Sequence, residues 1–176
     1  NTNPNIPTYN FFPTFGDLNG DGNKDLIVGD ADGKLHYFTN NGGLISSFTL
    51  AVADYENIDV GYFAAPQIID VNRDGLLDLL IGDKTGQISF LPNNGTITTA
   101  VFDSIISNFG GVDVDSAYIS TGFSAPHLVD LAGGYHLYVG SFSGAIHHYN
   151  NIDGNLSGGF NLISGVEQNI LEGAKT

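Results

Sequence analysis

The sequence predicts an all-β protein made of repeated four-stranded antiparallel sheets. Three observations carry the prediction. Three segments copy one another, with 53 and then 60 residues between equivalent positions. Within each copy, short apolar runs end in Gly and are separated by turn residues. No segment shows a helical period.

The copies are residues 12–42, 65–95 and 125–151. Pro13, Pro66 and Pro126 each stand four residues before an Asp, namely Asp17, Asp70 and Asp130. Gly29, Gly82 and Gly140 each stand four before Gly33, Gly86 and Gly144. Asn40, Asn93 and Asn151 follow those glycines by seven. Three ordered coincidences of this kind mark internal repeats.

The elements follow in order. An apolar strand leads into Asp17, Asp70 or Asp130. An acidic loop comes next, then the strands "DLIVG", "DLLIG" and "HLYVG". The turns "DADG", "DKTG" and "SFSG" lead into the alternating runs "KLHYF", "QISFL" and "AIHHY", each with one face to bury and one to leave wet. "FTLAVADY" and "TTAVFDSI" can each supply an outer strand, and residues 158–176 resemble such a stretch. Four-stranded units at this period read as β-propeller blades. The chain is therefore read as one propeller segment over 1–176. Closed propellers carry about 4–8 blades. Three blades imply a portion of a larger propeller, or a ring completed by other copies. The start at Asn1 is read as a processed chain or a piece of a longer one.

Apolar residues make up 41% of the chain, as in a folded protein, and no apolar run is long enough to insert in a membrane. Cysteine is absent, which leaves no disulfide framework and no thiol chemistry. The formal charge of −14 repels phosphate backbones, so nucleic acid is not an expected partner. The acid is nearly all Asp, the turn and cation-loop residue; only Glu56, Glu167 and Glu172 are Glu.

Counting from Asp17, the first loop puts Asp17, Asn19 and Asp21 at positions 1, 3 and 5, Gly22 at 6 and Asp25 at 9. The second repeats this with Asp70, Asn72, Asp74, Gly75 and Asp78. This is the opening of an EF-hand-type loop: oxygen ligands at alternate residues, Gly for the sharp turn, and a backbone carbonyl at position 7, here Asn23 and Leu76. The EF-hand Glu at position 12 is replaced by Val28 or Ile81, so Asp25 and Asp78 are expected to close the site. Two calcium ions are predicted, since three carboxylates per loop repel one another without a cation. The third loop, "DLAGGYHL", keeps Asp130 but is two residues shorter and lacks the other donors. No ion is expected there.

The run "FGDLNGDGxxDLIVG", with "AAP" and "SAP" ahead of the later Asp residues, resembles the FG-GAP/VCBS repeats of integrin α propellers and secreted bacterial proteins. The resemblance is strong in the first two repeats. In the third it is limited to the Pro, Asp and Gly positions. It implies a β-propeller with calcium in inter-strand loops and a secreted or cell-surface setting. It does not imply one activity.

No nucleophile elbow or phosphate loop is present, and Arg73 is the only Arg, at a non-ligand position of the second loop. The five His residues read as surface or satisfied strand histidines. His147 and His148 face opposite ways. Tyr9, Phe11, Tyr62, Phe63, Tyr118 and Phe123 precede the Pro-Asp strands, placed either to pack between blades or to stack on a ligand. The expected function is a non-catalytic binding or adhesion module for carbohydrate or protein. The alternative is part of a secreted polysaccharide-active enzyme or lectin whose active residues lie elsewhere.

Overall fold

The computed structural model describes residues 10–42, 47–115 and 121–163. It is all-β, with three antiparallel sheets and two short 3-10 turns among the described residues. The first sheet runs β1 (Phe12–Gly16), β2 (Asp25–Gly29), β3 (Leu35–Asn40), β4 (Phe48–Val52). The second runs β5 (Ala65–Ile69), β6 (Asp78–Gly82), β7 (Ile88–Leu91). The third runs β8 (Ala125–Leu131), β9 (Gly134–Gly140), β10 (Ile146–Asn150), β11 (Asn161–Leu162). Each is an up-and-down meander, the topology of a propeller blade. No helix among the described residues is long and apolar enough to cross a membrane.

The second blade departs from the expected four strands. "TTAVFDSI" forms no strand; Ala100 and Phe102 pack into the core, and only the next residue, Ile106, bridges to Phe90 of the sheet. Side chains capture this stretch before it can pair. The Asn93 side-chain oxygen accepts from the Gly95 and Val101 amides, and the Asn94 amide donates to Asp103 and Ser104. In the third blade β11 supplies two residues of outer strand, Asn161 and Leu162. Residues 164–176, the rest of the expected outer stretch, lie outside the described residues.

Blade packing explains the sequence of the second strands. β6 lies between neighbours and is buried throughout. Leu79 and Ile81 join Ile27, Leu35 and Ile68 in one core against the first blade. Leu80 joins Leu128, Leu137 and Val139 in another against the third. A sheet covered on both faces needs a continuous apolar run, and "DLLIG" is one. β9 has one covered face and alternates accordingly: Tyr135, Leu137 and Val139 are buried, His136 and Tyr138 only half-buried. The first blade shows the reverse side. Ile27 is fully buried, whereas Leu26 and Val28 are half-buried and Phe15 stays 49% exposed beside Phe48.

Polar contacts set the distance between blades. The Thr14 hydroxyl accepts from the Ile68 amide. At the equivalent place, Gln67 accepts from the Leu128 amide and donates to its carbonyl. The glycine that ends each second strand lets the next blade's entry segment cross. A Cβ on Gly29 would sit 2.1 Å from the Ala64 carbonyl oxygen, and one on Gly82 2.1 Å from that of Ser124. At Gly140 the nearest atom would be 3.9 Å away. Gly82→Ala is therefore expected to destabilise the fold by ~1–3 kcal/mol, the range for overpacking. Gly140→Ala should leave the urea midpoint within error of wild type, and equal losses at both positions would contradict this packing.

Candidate functional site

The two acidic loops join β1 to β2 and β5 to β6, at one end of their blades. Their backbones follow the same path. Positions 4 and 6 take the left-handed conformation in both, as Gly20 (φ 72°) and Gly22 (φ 86°), then Arg73 (φ 61°) and Gly75 (φ 88°). The first side chain of each loop folds back over the turn it starts. Asp17 accepts from the amides of Gly20, Asp21 and Gly22, and Asp70 from those of Asp74 and Gly75. Asn19 and Asn72 accept from the amides of Asp21 and Asp74. Asp21 and Asp74 accept in turn from the amides of Asn23 and Leu76. These Asx-type bonds curl the loop around its own oxygens.

Asp25 and Asp78 stand apart from the exposed positions. Both are fully buried at the start of the second strand. Each fastens its loop to the sheet: Asp25 to the amides of Leu18 and Asn40, Asp78 to those of Val71 and Asn93. They differ in one partner. The Tyr37 hydroxyl donates to Asp25 at 2.7 Å, and the residue equivalent to Tyr37 beside Asp78 is Phe90. Burial, then the bond to Asp25, pushes the Tyr37 phenol above its ordinary range. Burial also pushes the Asp78 carboxyl up, against the lowering effect of its backbone donors. That carboxylate is costly to ionise with no cation beside it.

The predicted donors are thus gathered loop by loop. Asn19 reaches Asp25 at 3.5 Å, and Asn72 reaches Asp74 at 2.9 Å. Their carboxylates are turned onto the loop amides. Among the described residues, no three Asp, Glu or His side chains converge as they stand on a point that would hold a metal. The chemistry of the donor set nevertheless fits calcium, a hard cation bound by six to eight oxygens. Between the two loops a cleft of about 220 Å³ opens, lined by Asp17, Leu18, Gly75, Leu76, Thr96 and Ile97.

Residues 17–81 match the family model described as FG-GAP-like repeat. Over that span the chain is similar to an FG-GAP-like repeat. No curated protein and no solved structure matches it. The matched span opens on Asp17 and closes in β6, so the FG-GAP-like repeat contains both acidic loops whole and omits the third copy.

In that third copy β8 and β9 stay paired down to Leu131↔Gly134, leaving Ala132 and Gly133 as the turn. Asp130, at the place of Asp17 and Asp70, bonds Arg73 of the second loop at 2.9 Å. The same guanidinium bonds Asp153 and lies 3.8 Å over the Tyr135 ring. The Tyr135 hydroxyl donates to the Asp70 carbonyl. The bond to Arg73 holds the Asp153 carboxyl below its usual range. Arg73, read from sequence as a non-ligand position of the second loop, thus couples that loop to the third blade.

The opposite end of the blades carries aromatics. Phe63 and Phe123 meet edge to face at 4.7 Å, and Phe142 lies 5.5 Å from Phe123. Phe11 and Tyr62 are exposed. Tyr9 and Tyr118 lie outside the described residues. The entry segments bond the β2–β3 and β6–β7 turns, Phe63 to the Ala31 carbonyl and Phe123 to that of Lys84. His36 is fully buried and bonds Asp30 at 2.8 Å. Arg73→Gln should lower the urea midpoint by removing the cation shared by Asp130 and Asp153. The loss should shrink at high salt, since exposed pairs are screened. A midpoint that does not move would show that the clamp contributes nothing to the interface.

Proposed function

We propose that this chain is a calcium-binding, non-catalytic module of a secreted or cell-surface propeller, with carbohydrate or protein as its ligand. The observation that carries the reading is the repetition of one donor set on one backbone path. Asp17, Asn19, Asp21 and Asp25, with the Asn23 carbonyl, form the first site. Asp70, Asn72, Asp74 and Asp78, with the Leu76 carbonyl, form the second. An ion in each loop offsets the repulsion of three carboxylates and stiffens the end of the blade. The ligand face is assigned to the aromatic end, where Tyr62 and Phe142 are 60% and 61% exposed. Partly buried aromatics with free faces suit stacking on sugar rings or insertion into a protein partner.

Chelation tests the reading first. Each site filled at 100 times its Kd adds about 2.7 kcal/mol of stability, so a chelator should lower Tm measurably. The second loop should bind more tightly, because Asp78 lacks the tyrosine hydroxyl that occupies Asp25. Asp74→Ala should remove the tighter ion, Asp21→Ala the weaker, and Asp130→Ala neither, as read by calorimetric titration. A Tm indifferent to chelator would sink the calcium reading.

The half-covered first blade supports completion by further blades or by a second copy. Leu26 and Val28 are the equivalents of Leu79 and Ile81, which a neighbouring blade buries completely. Light scattering in calcium should then give a mass of two chains, about 37 kDa at 18.6 kDa each. A stable 18.6 kDa species would point to blades supplied by a longer parent.

A further inference from the structure

On the third blade, no further blade among the described residues packs on the face that its two predecessors turn to a neighbour, and of its side chains His148 is buried and His136 and Tyr138 are half-buried. Positions filled by Ile27 and Tyr37 in the first blade, and by Leu80 and Phe90 in the second, hold Tyr138 and His148 in the third. Two histidines meet on this face. His148 on β10 pairs with Tyr138 on β9, and His136 lies two residues from Tyr138 on the same side of that strand. The diagonal brings His136 Nδ1 to 2.8 Å from His148 Nε2. Ring centroids are 5.0 Å apart, and the rings are inclined at 35°. Tyr138 stacks on His148 at 4.3 Å and 11°, which fixes the plane of that ring.

We propose that His136 and His148 form a binding site for a late first-row divalent cation, with zinc as its probe. Imidazole nitrogen is the preferred donor for such ions, whereas calcium takes oxygen. At Zn–N distances near 2.0–2.1 Å and a tetrahedral angle, two ligating nitrogens stand about 3.3 Å apart. The observed pair needs to open by roughly half an ångström, with a small rotation of each ring toward a common point. As found, one nitrogen donates a proton to the other; the ion takes the place of that proton. The remaining positions fall to water or to a ligand group. The site is separate from the acidic loops and does not depend on their holding calcium.

Zinc titration of the calcium-saturated chain at neutral pH tests this. One zinc should bind, and a site filled at 100 times its Kd should raise Tm by roughly 5–10 °C. His136→Gln and His148→Gln should each abolish the rise. His136 is only half-buried, so its variant should fold and keep the wild-type response to calcium. Absence of zinc binding by wild type overturns the proposal. So does a His136→Gln chain that binds zinc as tightly as wild type, which would place the ion elsewhere.

Discussion

The burial of β6 on both faces is the constraint on which the rest depends. Leu79, Leu80 and Ile81 are completely enclosed, two facing the first blade and one facing the third. No single sheet of four short strands buries enough apolar surface to stand alone in water. Each blade exists because its neighbour covers it. Two cores, one on each side of the middle sheet, therefore carry the stability of the described fold.

The acidic loops are consequences of that stacking as much as sites in themselves. Asp25 and Asp78 sit where the second strand begins, inside the blade, and bind one amide of their own loop, Leu18 or Val71, and one at or just past the end of the third strand, Asn40 or Asn93. Their burial is imposed by the sheets. Position 2 of each loop, Leu18 or Val71, is buried in a core, and the donors at positions 1, 3 and 5 curl outside it around their own oxygens. The proposed ion would join the buried carboxylate at position 9 to this polar turn, and so extend the order of the core to the blade's rim.

The third copy shows what the fold keeps when the donors are lost. Asp130 survives, but its charge is met by Arg73 from the neighbouring loop, with Asp153 and the Tyr135 ring completing the contact. A guanidinium supplies the positive charge for this end of the blade. Its planar fork suits two carboxylates at once, which a lysine at the same place would not match. The geometry of the second loop and the seating of the third blade are thereby linked through one side chain.

Much of this was legible in the residues alone. Repeats, turns and alternating runs determined three antiparallel blades, because strand period and turn chemistry are local properties of the backbone. The donor pattern from Asp17 to Asp25 and from Asp70 to Asp78 was equally local, since a loop's path follows from its own glycines and Asx turns. Contacts between distant segments were not legible. The missing outer strand of the second blade goes with Asn93, whose side-chain oxygen took two backbone amides, and with Asn94, whose amide holds the Asp103 and Ser104 side chains. The grip of Arg73 on Asp130 spans 57 residues and depends on how two blades face each other. The meeting of His136 with His148 depends on the register of β9 against β10, where a slip of one residue would turn one ring to the other face. Only the tertiary structure decides such matters, because register and blade packing are set by the sum of many weak contacts, none of them encoded in any one stretch.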